Sequence, residues 1–201
     1  MASYSHIFQG FSLGFRFHSQ LRYLLDSTPP SLCIAELDPE TLRLSGIAAL
    51  ALDFDGVLAS HGDLAPLPEA IDWLKRAEAV FGGDKMFILS NKPTDERRRW
   101  FAENFPAIRF IAGVRKKPYP DGLIKAAECA EVPLSSILMI DDRLLTGCLA
   151  ALVAGARPCY IRNPFVSHRH RPLTELFFQC VRIAERTLIF LSAQSPPRQD
   201  F

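Results

Sequence analysis

Two rhythms of apolar and polar positions alternate along most of the chain. From about Ser31 onward, short unbroken apolar runs take turns with longer stretches of helical periodicity. The runs "IAALAL", "KMFIL", "IRFIAG", "SSILMI" and "RPCYIR" lack the polar-every-second-residue pattern of a half-exposed strand. They predict strands, with "IAALAL" buried on both faces and "KMFIL" a second buried one. Between them, "PLPEAIDWLKRAEAVFGG", "PTDERRRWFAENF", "PDGLIKAAECA" and "RLLTGCLAALVAGA" predict helices, with Pro68 near the start of the first and Gly155 closing the last. Ahead of the first strand, "DPETLRLSG" offers Asp38 as an N-cap, proline at the first helical position and Gly46 as a stop. A final amphipathic helix is expected from roughly Arg169 to Leu191.

Strands that alternate with helices imply right-handed crossovers, hence an α/β fold: a Rossmann-like, doubly wound parallel sheet with helices on both faces. The pattern divides the chain into an N-terminal segment (1–30), a core (31–168) and a C-terminal amphipathic helix and tail (169–201). Length supports one main domain. In such a sheet, ligands bind beyond the carboxyl ends of the strands.

Those ends are where the chemistry collects. Asp53 and Asp55 follow "IAALAL"; Ser90, Asn91 and Lys92 follow "KMFIL"; Arg115, Lys116 and Lys117 follow "IRFIAG"; Asp141, Asp142 and Arg143 follow "SSILMI". One D-x-D pair alone is common in turns, but four polar clusters on one sheet edge form a pattern. Several carboxylates in one crevice repel unless a hard cation sits among them, and oxygen donors suit Mg²⁺. A nearby lysine and serine fit the remaining oxygens of a phosphate. One aspartate can attack phosphorus while a second, two residues on, moves the proton.

"DFDGVL", "SNK", "KKP" and "IDDR" resemble, in order, the four motifs of the haloacid dehalogenase (HAD) superfamily, which is largely Mg²⁺-dependent phosphatases. The resemblance implies Asp53 as nucleophile and Asp55 as general acid/base, with the Asp55 backbone carbonyl also on the metal. It implies Ser90 and Lys117 around the phosphoryl group, and Asp142, or the Asp141/Asp142 pair, on Mg²⁺. The family's lysine usually precedes a proline, which selects Lys117 over Lys116. Asn91 either joins Ser90 in binding phosphate or, like Lys92, shapes the loop. Neither Leu58–Lys85 nor Pro93–Gly113 has room for a cap domain, so the site is expected to be open.

The flanking segments, "RKKPYPDG" and "DDRLLT" above all, resemble the capless YqeG-type branch that includes mitochondrial phosphatidylglycerophosphate phosphatases. The implied product is phosphatidylglycerol. That branch carries glycine-aspartate at the fourth motif and an acid five residues later, where this chain has Asp141-Asp142 and Gly147. Two alternatives stand beside this reading: a capless phosphatase for a soluble metabolite, nucleotide or phosphoprotein, and a non-catalytic binding protein of the same fold.

Composition bears on partners and compartment. The formal net charge of +1 gives no global bias toward nucleic acid or membrane. Five scattered cysteines without a C-x-x-C pair argue against a disulfide framework or a structural zinc site, and fit a reducing, intracellular setting, cytoplasmic or at a membrane periphery. The first 25 residues hold arginine, serine and histidine but no acid, which is also the composition of an organellar transit peptide. A membrane contact has three candidate sources, the first being the N-terminal "FSLGFRF". Arg143, Arg157, Arg162, Arg169 and Arg171, with His168 and His170, form an acid-free basic stretch able to attract anionic phospholipid. The last helix has an apolar stripe of Leu173, Phe177, Cys180, Val181, Ala184 and Leu188. The stripe is expected to pack on the core, an interfacial position being the alternative.

Overall fold

Strand β1 (Ala49–Leu52) shows how the sequence builds the sheet. All four side chains are fully buried, and they alternate in size: Leu50 and Leu52 point to one face, Ala49 and Ala51 to the other. The leucine face meets Trp73, Leu74, Ala77 and Phe101; the alanine face meets Ala126, Ala130 and Ala151. Small residues on both sides of that second layer let helix and sheet approach closely. The computed structural model describes residues 14–91, 93–167, 169 and 171–192.

Five parallel strands form the sheet in the order β3-β2-β1-β4-β5. The others are β2 (Met86–Ile88), β3 (Arg109–Phe110), β4 (Ile137–Asp141) and β5 (Arg157–Tyr160). The α-helices around them are α1 (His18–Ser27), α2 (Pro39–Leu44), α3 (Pro68–Phe81), α4 (Asp95–Asn104), α5 (Asp121–Ala130), α6 (Leu149–Ala154) and α7 (Pro172–Ser192). The doubly wound α/β reading holds. Only α3 and a 3-10 turn separate β1 from β2, and only α4 separates β2 from β3, so the described residues contain no cap.

Local signals behave as their chemistry dictates. The Asp38 side chain accepts from the Thr41 N–H at 2.9 Å and caps α2. Gly82, at φ +81°, ends α3 where a side chain would be strained. Two expectations were too long. "IRFIAG" yields just Arg109–Phe110 at the sheet edge, although the Ile111 N–H still reaches the Ile88 carbonyl at 3.0 Å. "RLLTGCLAALVAGA" is not one regular helix: Leu144–Cys148 form a π turn before α6 begins.

Helices α1 and α7 meet beside β5. Leu21 and Leu25 of α1, Leu144 and Cys148 of the π turn, Tyr160 of β5 and Ile189 of α7 form a third buried cluster. Further, the His18 Nε2 lies 2.7 Å from the Ile189 carbonyl. α7 is thereby fixed against the sheet edge on which the polar clusters collect. No helix among the described residues is long and apolar enough to cross a membrane.

Candidate active site

The strand order reverses at β1 and β4: the first two crossovers run one way to β2 and β3, and the third returns to the other side of β1. A crevice forms beyond the strands at such a point. Asp53 leaves β1 there and Asp141 ends β4, with Asp142 next. The register pairs Leu52 with Ile140, so both chains deliver their carboxylates at the same height.

Asp53, Asp141 and Asp142 each place a ligand-capable oxygen within 4.8 Å of the others. Lys117 faces them, its Nζ 2.8 Å from Asp53 Oδ1 and 2.5 Å from Asp141 Oδ2. Asp142 Oδ2 accepts from Arg182 of α7 at 2.7 Å. Crowding has the expected electrostatic effect. Burial, with repulsion from Asp141, pushes Asp53 up to about 7 although Lys117 pulls the other way. Burial and the charges of Asp141 and Asp53 push Asp142 up to about 8 against the opposing pull of Arg182. Burial works against the charge on Lys117, but Asp141 and Asp53 outweigh it and hold the ammonium above its usual value. Three converging carboxylates, two of which resist ionisation, are a donor set suited to a hard divalent cation.

Asp55 is not in that cluster. Arg97 of α4 grips both of its oxygens, at 2.7 and 3.0 Å, and the Gly62 N–H adds a third bond at 3.3 Å. Its carboxylate is thus held apart from the cation candidates, while it still lines the same cleft as Asp53. The intervening Phe54 points into the core, edge-on to Phe101 and 3.9 Å beneath the Arg97 guanidinium. Ser90 and Asn91 line the cleft as well. Asn91 Oδ1 accepts from the Lys117 N–H at 3.1 Å, tying the second motif's loop to the third's. Lys116 is exposed, as expected of a solvated charge. Lys92 lies outside the described residues.

Two glycines make the carboxylate packing feasible. A Cβ on Gly56, at φ +84°, would run into the Asp142 carboxylate. On Gly147, in the π turn, it would overlap the Asp141 carboxylate. Asp141 and Gly147 are therefore sterically complementary: the acid stands on the strand end and the glycine leaves the space for it.

The model of the haloacid dehalogenase-like hydrolases matches residues 20–155, more than half of the sequence. The chain belongs to this hydrolase family. No curated relative matches it. Among solved structures, an uncharacterized protein from Corynebacterium glutamicum is similar over 70% of this chain and 97% of its own, at 19% identity and a TM-score of 0.46. A HAD-superfamily hydrolase from Ehrlichia chaffeensis is similar over 69% and 98%, at 17% identity and a TM-score of 0.38. A HAD family enzyme from Bacteroides thetaiotaomicron, solved with magnesium and inorganic phosphate, is similar over 66% and 100%, at 16% identity and a TM-score of 0.34.

For this member of the family, sequence reasoning missed the residues that hold the acids. Arg97 looks like one of three equivalent arginines in "DERRRW", but it alone lies four residues before Phe101 on the buried face of α4. α7 supplies more. Glu175 accepts from the His61 N–H at 2.9 Å and pairs with its ring, which stacks on Phe178 at 3.9 Å. Burial lowers the His61 pKa, against the pull of Glu175. Glu185 pairs with Arg143, and Phe178 joins the cleft wall. The expectation that the stripe Leu173, Phe177, Cys180, Val181, Ala184 and Leu188 packs on the core is overturned: all but the half-buried Val181 are exposed. The polar residues of α7 win the inward face because they have ionic partners there.

The basic stretch is also smaller than its sequence suggests. Arg143 is taken up by Glu185, Arg157 by the Ser135 and Ser45 carbonyls, and Arg162 by those of Leu25 and Thr28. Arg169 and Arg171 stay exposed; His168 and His170 lie outside the described residues.

Proposed function

We propose that this hydrolase is a Mg²⁺-dependent phosphomonoesterase that removes the terminal phosphate of phosphatidylglycerophosphate to give phosphatidylglycerol. The observation that carries the phosphatase reading is the convergence of Asp53, Asp141 and Asp142 within 4.8 Å, with Lys117 bridging two of them. Asp53, Asp141, Asp142 and the Asp55 carbonyl would hold Mg²⁺, which supplies charge neutralisation for phosphate oxygens beside the carboxylates.

In the first half-reaction an Asp53 oxygen bonds to phosphorus, the bond from phosphorus to the leaving oxygen breaks, and Asp55 donates a proton to that oxygen. In the second, water bonds to phosphorus, its proton passes to Asp55, and the Asp53–phosphorus bond breaks to release phosphate. Arg97, on both oxygens of Asp55, keeps the proton carrier oriented. Ser90 binds phosphoryl oxygens, with Asn91 beside it. Lys117 offsets the charge that gathers on Asp53 and phosphate.

Support for a lipid phosphate comes from the motif flanks and from access. No cap among the described residues closes the cleft, and Ser90, Asn91 and Lys117 also line an adjoining groove that gives a bulky leaving group somewhere to lie. The test is phosphate release from short-chain phosphatidylglycerophosphate in detergent micelles, beside nucleotides, sugar phosphates and an aryl phosphate. The expected result is preference for the lipid and complete loss with EDTA. Preference for a soluble ester would defeat the lipid assignment.

A further inference from the structure

α7 wears its sequence inside out. At helical spacing Glu175, Phe178, Arg182, Glu185 and Ile189 face inward, Arg182 and Glu185 in ion pairs and Glu175 hydrogen-bonded to His61. The exposed positions include Leu173, Leu176, Phe177, Ile183, Phe190 and Leu191, each about half exposed or more. None of the exposed side chains of α7 carries a charge. An exposed apolar face of this extent on a helix pinned by polar contacts marks an interaction surface.

Its surroundings say what covers it. Near the C-terminal end of α7, exposed Phe15 continues the apolar patch beside Leu188, and Arg22 lies 4.3 Å over the Phe190 ring. Exposed Arg16 lies beside Phe15, and exposed Arg169 and Arg171 precede the other end. Both acids of α7 are turned inward. Arg22 shares its charge with exposed Asp26, so the cationic flanks are Arg16 at one end and Arg169 and Arg171 at the other; with an apolar centre and no outward acid on α7, they are the complement of an anionic lipid surface. A two-fold copy fits less well, because cations flank both ends and either parallel or antiparallel pairing sets like charges together.

We propose that the outer face of α7 lies in the interfacial layer of an anionic membrane and brings the mouth of the catalytic cleft to the bilayer surface. Phe178 lines that cleft with Asp53, and the next residue back, Phe177, projects into the apolar face. The helix is thus a shared wall between site and membrane. For its purpose, presenting a lipid phosphate to the cleft, the inference rests on the function proposed above; the docking itself does not.

The full chain is pelleted with sucrose-loaded vesicles of phosphatidylcholine, with and without phosphatidylglycerol, and its size is measured by light scattering. The expected result is pelleting with phosphatidylglycerol vesicles that weakens with added salt. Phe177→Glu/Ile183→Glu should lower partitioning on the order of a hundredfold. Arg169→Glu/Arg171→Glu should lower it on the order of tenfold or more. Retained aryl phosphate turnover in Phe177→Glu/Ile183→Glu shows that its fold is intact. The docking proposal is overturned if the wild type stays in the supernatant, or if Phe177→Glu/Ile183→Glu pellets like the wild type. It is also overturned if that variant converts a wild-type dimer to monomer with neither form bound to vesicles. Phosphatidylglycerophosphate hydrolysis in micelles is read separately: vesicle binding without that activity keeps the docking and removes the lipid substrate.

Discussion

Arg182→Met removes a guanidinium that is 96% buried only because Asp142 receives it, so its cost is calculable from the site's charge balance. The Arg182 side chain is 4% exposed and Asp142 1%, with 2.7 Å between them. Even with that partner, Asp142 sits at about 8, pushed up by burial, Asp141 and Asp53. Breaking a buried pair by deleting one member costs about 3–5 kcal/mol. For a chain of this size that is a fall in melting temperature on the order of 10 °C. Two processes relieve the stranded carboxylate: protonation, and a divalent cation in the guanidinium's stead. The folded pKa of Asp142 is raised, and losing Arg182 raises it further. The folded variant thus keeps a proton that the unfolded chain releases near 3.8, and its stability falls as pH climbs toward and through 8. Wild-type Asp142 keeps its proton up to about 8 as well, so the gap to wild type should be wider at pH 9 than at pH 6, and narrower in Mg²⁺ than in EDTA. Thermal unfolding followed by circular dichroism in those four conditions decides it. An equal drop in all four, or no drop, would refute the charge-balance account.

Three further outcomes follow from the same geometry. Wild type in EDTA should lose stability between about pH 5 and pH 8, since folded Asp53 and Asp142 hold protons to about 7 and about 8, and Mg²⁺ should flatten that slope in a melting-temperature series. Asp53→Asn should lower aryl phosphate turnover by roughly a thousandfold or more while the melting temperature holds or rises, because a buried, repelled carboxylate is gone; a fully active variant would remove Asp53 as nucleophile. Gly147→Ala should push the Asp141 carboxylate from Lys117 and cost about 1–3 kcal/mol by denaturant unfolding, with a matching loss of turnover.

Much of this site was legible because parallel sheets announce themselves. Five apolar runs gave five strands, the outer two (β3 and β5) only partly buried, and the polar residues after them had to meet at one edge. Asp53, Ser90, Asp141 and Asp142 could be gathered on that basis; choosing Lys117 over Lys116 took the family resemblance. The partners were hidden for physical reasons. Arg97 and Arg182 sit in helices whose surface and core positions are read from hydrophobic periodicity, and both are buried against that rule by a carboxylate distant in sequence. For α7 the apolar stripe was real but pointed outward, because ion pairs with Asp142 and Arg143 and the Glu175 hydrogen bonds to His61 set its rotation. Periodicity finds the two faces of a helix; only the charges facing it reveal which one turns inward. The π turn was equally invisible, as it depends on Gly147 yielding space to Asp141.

The site and α7 consequently share one electrostatic account. Lys117 neutralises the Asp53 and Asp141 side of the cluster, and the Asp142 side depends on a guanidinium from the far end of the chain. A cation among the three carboxylates and the Arg182 guanidinium are drawn to the same Asp142 carboxylate, so occupancy of the site bears on the anchorage of α7. The contacts at Glu175 and Glu185 lie on either side of Arg182 along the helix and keep α7 seated while that contact adjusts. Together they keep the apolar face of α7 outward, as the docking proposed above requires.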